Sequence, residues 1–317
     1  MKIVLMGEPM GLYIAEEPGP LDQVKRFSQA IAGAEYNVAV GLARLGHTPI
    51  YCTAVGGDPM GRDILRGLEA NGIGTQAVRV SGEAPTGYMK KSLAQGRDPE
   101  IAYYRAGSAA SKITPADVDR LDLSGCQWLH VTGIFPAVSE SARAATVRLI
   151  ERAREQSMTV SFDPNLRPQL WPSGAEMVRA LRELAQRADL VLPGIGEAGT
   201  LVDGEMRERE IARFFHRLGP AKVVIKLGPK GAYYSETGGE EGFVPGLPVE
   251  RVIDTVGAGD GFAVGVISAL AEGLPLREAV RRGCAIGAIQ VAHPGDNEGL
   301  PDRRRLDEAL ALGRVNV

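Results

Sequence analysis

Asp254-Thr255-Val256-Gly257-Ala258-Gly259-Asp260-Gly261-Phe262 is the most informative stretch of the chain. An apolar helical face follows it, with Phe262, Val266 and Leu270 at i, i+4 and i+8. The small residues 257 to 259 therefore stand at a helix entry, where little side chain obstructs a ligand. Their N–H groups can converge on an anion, in the favourable field of the helix N-terminus. Asp260 falls in the first helical turn, beside that anion. A helix cap would account for Asp260 alone, but not for three small residues before it and a glycine after it. The stretch predicts a phosphate-type site with a carboxylate next to it.

Two more glycine-containing segments compete for attention. Ala32-Gly33-Ala34-Glu35-Tyr36-Asn37-Val38-Ala39 leads into an amphipathic helix marked by Val38, Leu42 and Leu45. Taken alone, it reads equally as an ordinary helix entry or as a ligand-facing one. Gly194-Ile195-Gly196-Glu197-Ala198-Gly199 matches Gly-x-Gly-x-x-Gly. A dinucleotide site also needs an acidic residue after the next strand, to hold a ribose. The next strand, Val223 to Leu227, ends without one, so a tight strand–helix turn is expected and an NAD-dependent dehydrogenase is the remote alternative. The chain contains no Gly-x-x-x-x-Gly-Lys-Ser/Thr, which excludes a P-loop kinase on motif grounds.

Outward from these motifs the chain alternates short apolar runs with helical periodicity. Strands are expected at 127–131, 159–162, 189–192 and 222–226, and helices at 139–156, 174–187 and 208–218. Repeated strand–helix units imply an α/β fold with a parallel sheet covered on both faces. Ligands on such sheets bind beyond the carboxyl ends of the strands. Residues 12–32 and 75–104 break the rhythm, with strand-like alternation and no helix between. Tyr88 to Leu93 and Glu100 to Tyr104 are expected to pair as a hairpin around Gln95-Gly96-Arg97-Asp98-Pro99. These segments predict a small β lid on a single domain spanning 1–317. Their strands would leave unpaired edges, which proteins usually cover, so a homodimer built on this sheet is expected.

Composition narrows the class. The 317 residues carry 36 Lys and Arg against 39 Asp and Glu, a net charge of −3. Nucleic-acid binders need a surplus of cations to displace counterions, so nucleic acid is not an expected partner. Hydrophobic residues make up 44%, enough for a sizeable core. Cys52, Cys126 and Cys284 are far apart and odd in number, giving neither a disulfide framework nor a zinc motif. No apolar run approaches the ~18 residues that span a membrane, and a cytoplasmic protein is expected. His47, His130, His216 and His293 show no ligand spacing and read as structural. Arg281-Arg282 and Arg303-Arg304-Arg305 read as solvated helix faces.

The first two motifs together resemble the paired signatures of the ribokinase-like (PfkB) carbohydrate kinases. Asp254-Thr255-x-Gly257-Ala258-Gly259-Asp260 is similar to the family's C-terminal signature, and Gly33-Ala34-Glu35-x-Asn37-Val38-Ala39 to the N-terminal one. Order, separation and total length also fit, so the resemblance covers essentially the whole chain. Within the family, three segments resemble the 2-keto-3-deoxygluconate kinases. They are Tyr103-Tyr104-Arg105-Ala106-Gly107-Ser108, Asp163-Pro164-Asn165-Leu166-Arg167 and Gly295-Asp296-Asn297-Glu298-Gly299-Leu300-Pro301.

This resemblance implies an αβα sandwich with a mainly parallel central sheet and a β lid, often dimeric through the lid. It implies ATP-dependent phosphorylation of a sugar hydroxyl, at the far end from the acid group for a 2-keto-3-deoxy acid. Asp260 matches the catalytic base, and the amides of Gly257, Ala258 and Gly259 match the anion hole. Those roles suit phosphoryl transfer, in which a carboxylate takes a proton and donors absorb charge. Substrate contacts are implied for Gly33, Ala34, Asn37, Tyr103, Arg105, Arg167, Asp260 and Asp296. Nucleotide contacts are implied for Lys226, Gly228, Lys230 and Gly231, for Gly257 and Gly259, and for Cys284, which also reads as a small core residue. Glu197 resembles a glutamate that organises Mg²⁺ through water, although Gly194 stands where the family has an asparagine. A monovalent cation near Asp254 is a further possibility in the family. Met89 stands where relatives carry a substrate tyrosine, and alternation turns the neighbouring Tyr88 to the other face. Arg105 and Arg167 separate a sugar acid from a neutral sugar such as fructose or ribose, or a nucleoside. Guanidinium forks suit a carboxylate, unless a protein carboxylate already occupies them.

Overall fold

The computed structural model describes residues 1–93, 100–202, 204 and 206–315. In chain order the strands are β1 (Lys2–Met6), β2 (Met10–Ala15), β3 (Phe27–Ala32), β4 (Thr48–Gly56), β5 (Val78–Ser81), β6 (Tyr88–Lys91), β7 (Ile101–Tyr104), β8 (Trp128–Thr132), β9 (Thr159–Asp163), β10 (Leu190–Val191), β11 (Lys222–Lys226), β12 (Gly231–Glu236) and β13 (Glu241–Pro245). The helices are α1 (Ala34–Arg44), α2 (Pro59–Ala70), α3 (Pro115–Asp119), α4 (Phe135–Val138), α5 (Glu140–Glu155), α6 (Gly174–Gln186), α7 (Ile195–Val202), α8 (Glu208–Leu218), α9 (Ala258–Ala271), α10 (Leu276–Val291) and α11 (Arg303–Leu312).

Nine strands form one sheet in the order β13-β12-β11-β10-β9-β8-β1-β4-β5. All neighbours run parallel except at β11–β12 and β12–β13. The period of two along β1 shows how both faces are buried. Ile3 and Leu5 enter one apolar cluster with Val38, Leu42 and Phe262, while Val4 and Met6 enter the other with Leu149 and Leu181. Such two-sided burial is what makes these strands read as continuous apolar runs. Helices α5 and α6 begin at Ser139 and Ser173, whose hydroxyls accept from the amides of Ala142 and Glu176.

The expected elements fall close to the observed ones. The expected lid needs one correction. Its sheet has the order β3-β2-β6-β7, and β6 pairs antiparallel with β7 as the hairpin reading required. Residues 78–81, however, pair with β4 at the edge of the large sheet. Alternation in that segment reported a strand but not its sheet. The turn expected at 95–99 lies outside the described residues. No helix among the described residues is long and apolar enough to cross a membrane.

One edge of the large sheet gathers the polar ends of its strands. Glu8 follows β1, Thr132 ends β8, Asp163 ends β9 and Lys226 ends β11. Both α1 and α9 start at this edge, and the small sheet reaches it through Lys91 and Arg105.

Candidate active site

Asp260 lies in the first turn of α9 and Asn37 in the first turn of α1. The Asn37 Nδ2 donates to Asp260 Oδ2 at 2.7 Å. Asn297 donates from Nδ2 to Asn37 Oδ1 at 2.9 Å, which fixes the orientation of that amide. Burial pushes the Asp260 carboxyl up to about 7; the Asn37 bond and Lys226 oppose the shift, while Asp163 and Glu35 add to it. A carboxyl poised there is matched to taking a proton near neutral pH. Its Oδ1 has no donor among the described residues and is the oxygen left for a ligand hydroxyl.

Gly257 is the N-cap of α9, with φ 76° and ψ −6°. That left-handed conformation favours glycine, and a Cβ here would stand 2.0 Å from the carbonyl oxygen of Asp296. Gly259 differs, since a Cβ there would meet only Lys226 Nζ, at 3.8 Å. Space beside Gly259 is therefore open to a ligand. Among the described residues, the amides of Gly257 and Gly259 donate to no protein acceptor, while that of Ala258 turns back toward Thr255 at 3.4 Å. The helix N-terminus at the expected anion hole thus presents the amides of Gly257 and Gly259 without a protein acceptor among the described residues.

Lys226 sits beside it and does not extend freely. Its ammonium donates to Asp163 Oδ2 at 2.6 Å. Burial pulls the Lys226 ammonium downward, but Asp163, Glu197 and Asp260 together hold it above its ordinary value. Burial pushes Asp163 up to about 6 against that lysine. Glu197 accepts from the amide of Leu166 at 2.8 Å with one oxygen and from the amide of Gly194 at 2.6 Å with the other. The Gly194–Gly199 segment is therefore a strand–helix turn closed by its own glutamate. Each Glu197 oxygen keeps a lone pair for water, which fits a divalent ion held at one remove. No cluster of three acidic, His or Cys side chains able to hold a metal directly exists among the described residues.

The two arginines part company. Arg105 is buried, and its Nε donates to Glu8 Oε2 at 2.7 Å, with Nη2 on the same oxygen. Glu8 is 3% exposed and its other oxygen accepts from Ser108 Oγ. Of the two expectations for Arg105, a substrate carboxylate or a protein one on its fork, this structure has the protein carboxylate there. Arg167 is half-buried, donates only to its neighbour's carbonyl, Leu166, at 2.8 Å, and has no ion pair among the described residues. Tyr103 pairs across the lid with Met89, so both project from one face with Lys91. Tyr88 points the other way and stacks on Tyr104 at 4.6 Å. Gly33 caps α1 with φ 149°, packed under the Glu8 carbonyl, and Ala34 follows it, buried.

Beyond β11, Gly228 and Lys230 are exposed, and Lys230 has no ion pair among the described residues. Gly231 has a sheet-building reason to be glycine, since a Cβ would lie 2.0 Å from the Val244 carbonyl oxygen. Cys284 is buried in the apolar cluster with Phe262 and Ile286, and burial pushes its thiol up to about 12. It packs as the small core residue that its sequence position suggested. Asp296 is buried and faces Lys91. Arg282 is not solvated as expected but buried against Glu272 at 2.8 Å.

Reasoning from sequence missed Glu8, Lys91 and Asn297. Glu8 had a signal, since it stands at the carboxyl end of the first strand. Lys91 had one too, being two residues from Met89 and hence on the same face. Asn297 had none beyond lying in a segment noted for its resemblance.

Residues 2–303 match the pfkB family carbohydrate kinases. A 2-dehydro-3-deoxygluconokinase of Bacillus subtilis (strain 168) is 46% identical over 98% of this chain and 96% of its own. One of Thermoproteus tenax is 33% identical over 98% of this chain and 94% of its own. Among solved structures, a PfkB protein from Polaromonas sp. JS666 superposes with a TM-score of 0.88 at 43% identity, covering 96% of this chain and 99% of that one. An uncharacterized sugar kinase from Pyrococcus horikoshii in complex with ATP superposes at 0.83 with 26% identity, covering 98% and 97%. The open amides at the start of α9, the carboxylate held beside them by Asn37 and the match over nearly the whole length all place the chain in the PfkB family of carbohydrate kinases.

Proposed function

We propose that the protein transfers the γ-phosphoryl group of ATP to 2-keto-3-deoxygluconate, at the hydroxyl farthest from the acid. The observation that carries the substrate is the 46% identity, over 98% of the chain, with a relative named for that activity. Arg167 supports it, as a half-buried guanidinium with no protein carboxylate on it. A neutral sugar gives such a group nothing to neutralise.

In this reading the sugar hydroxyl hydrogen-bonds to Asp260 Oδ1 while Asn37 holds Oδ2. Asp260 takes the hydroxyl proton, the oxygen forms its bond to the γ-phosphorus, and the bond from phosphorus to the departing ADP oxygen breaks. Amides at Gly257, Ala258 and Gly259 absorb the charge on the transferring group, with Lys226 adjacent. Mg²⁺ carried by the ATP phosphates would be held through water by Glu197, and supplies charge neutralisation on the phosphates. Gly228 and Lys230 line the nucleotide's approach, and Tyr103 and Asp296 lie on the substrate side with Gly33 and Ala34. ATP supply sets the reaction in the cytoplasm. The lid supports a homodimer, because β3 and β7 are sheet edges and Ile101, Tyr103 and Tyr104 are exposed on β7.

A coupled ADP-release assay across 2-keto-3-deoxygluconate, 2-keto-3-deoxygalactonate, gluconate, fructose and ribose tests the assignment. The expected result is a kcat/KM for the 2-keto-3-deoxy acids at least about a hundredfold above fructose and ribose. Preference for a neutral sugar would overturn it.

A further inference from the structure

Lys91 ends the lid strand β6, and its side chain is buried. Its Nζ donates to Asp254 Oδ2 at 3.2 Å and lies 3.5 Å from Asp296 Oδ1. These two acids belong to different segments of the core, and both segments shape Gly257. Asp254 Oδ1 accepts from the amide of Val256 at 3.0 Å, which turns the chain just before Gly257. The Asp296 carbonyl oxygen packs against Gly257 so closely that no Cβ would fit. A lysine carried by the lid is therefore hydrogen-bonded to one of the two segments around Gly257 and ion-paired with the other.

Charge explains why the fastening matters. Asp296 is 7% exposed, and Asp296 Oδ1 accepts no hydrogen bond. Without Lys91, two carboxylates would face each other with no counter-ion in a partly desolvated space, and like charges there repel strongly. Burial already pushes the Asp296 carboxyl upward; Lys91 opposes the shift and Asp254 and Glu298 reinforce it. An ammonium thus lies between the segments 254–257 and 295–297, which the Gln290 amide also bridges by donating to the Gly295 carbonyl at 2.8 Å and to the Val256 carbonyl at 3.5 Å.

We propose that Lys91 is a positioning residue of the lid, whose ammonium sets the spacing of the two segments around Gly257, so that the anion hole is correctly formed only with the lid in place. This inference rests on the kinase reading of the same site.

The test compares Lys91→Ala and the isosteric, uncharged Lys91→Met with the unaltered enzyme. Each is assayed with 2-keto-3-deoxygluconate and with fructose, in tetramethylammonium chloride alone and with added methylammonium or ethylammonium. The unaltered enzyme should turn over equally well in all three media. Both variants should lose about 30-fold or more in kcat, the size expected when one partner of a buried charge pair is removed. KM for the sugar should change less than about threefold. Methylammonium or ethylammonium should restore at least about fivefold of the Lys91→Ala loss, because a small cation with N–H donors fits the vacated space. Unchanged kcat in both variants would overturn the proposal, as would a loss that no alkylammonium relieves. Failure of the substrate reading would appear separately, as poor turnover of the acid by the unaltered enzyme; the variants are then judged on fructose.

Discussion

Asn37 donates to the carboxylate of Asp260 across 223 positions of sequence, at 2.7 Å. The bond joins the first turns of two helices, α1 and α9, that both start at the polar end of the large sheet. It also favours the charged form of an acid that burial pushes up to about 7. In Asn37→Ala this stabilisation is lost, so the Asp260 pKa rises further. The acid limb of kcat/KM should then move to higher pH, by up to about one unit for a hydrogen bond worth ~1 kcal/mol. A pH–rate profile checks it; an unmoved limb would mean that Asp260 is not the group being titrated.

Asp260 should also be costly to the fold. Its folded pKa, about 7, lies above the ordinary carboxyl value of 3.8. Between those values the folded protein holds a proton that the unfolded chain releases, so the group's contribution becomes less favourable as pH rises from about 4 to about 7. Asp260→Asn removes that term. It should raise Tm at pH 8 more than at pH 4, while kcat falls on the order of 10²–10⁴-fold. Near-normal turnover in this variant would remove Asp260 from the role of base.

The two glycines of the proposed anion hole should separate under substitution. Gly257 has a positive φ and the Asp296 carbonyl oxygen where a Cβ would go. Gly257→Ala should therefore lower Tm and kcat together. Gly259 has ordinary contact only, 3.8 Å to Lys226 Nζ. Gly259→Ala should leave Tm within ~1 °C, since surface changes without a structural mechanism stay near zero, and still impair ATP turnover by crowding the phosphate. Calorimetry with steady-state kinetics distinguishes them. Equal Tm loss in both would mean that the two positions serve only the turn.

The layered fold was legible because both faces of the sheet are buried, so Val223, Val224 and Ile225 of β11 all had to be apolar. Asp260 and the residues before it were legible because small residues at a helix entry have few other uses. The fate of Arg105 was not. Its partner Glu8 is distant in sequence, and a buried ion pair leaves no periodicity to read. Nor was the sheet to which 78–81 belongs, since alternation reports half-burial and not the neighbour.

Exposed β7 edge residues call for cover, and a second copy of the lid is the proposed one. Light scattering at micromolar concentration should give twice the chain mass. Ile101→Lys, on β7 and exposed, should shift the protein toward monomer, because a charge on an edge strand opposes pairing. A monomeric unaltered protein would count against the lid interface.

Arg105 and Arg167 should now behave differently. Arg105→Ala leaves Glu8 buried without its counter-ion, and breaking a buried pair from one side costs about 3–5 kcal/mol. Its first effect should be a Tm loss, with acid and neutral substrates impaired alike. Glu8→Ala should do the same, and the double variant should lose less than the sum of the singles, since the unpaired charge is gone. Arg167 has no such partner, so Arg167→Ala should leave Tm nearly unchanged. Its cost should appear as KM for 2-keto-3-deoxygluconate, raised by at least about tenfold, one decade per ~1.4 kcal/mol. Lysine at 167 should restore only part, because an ammonium cannot grip both carboxylate oxygens as a planar fork does. Fructose kinetics should barely change. An Arg167→Ala enzyme that loses equally on acid and neutral sugars would make this arginine structural, and the carboxylate would then need another partner.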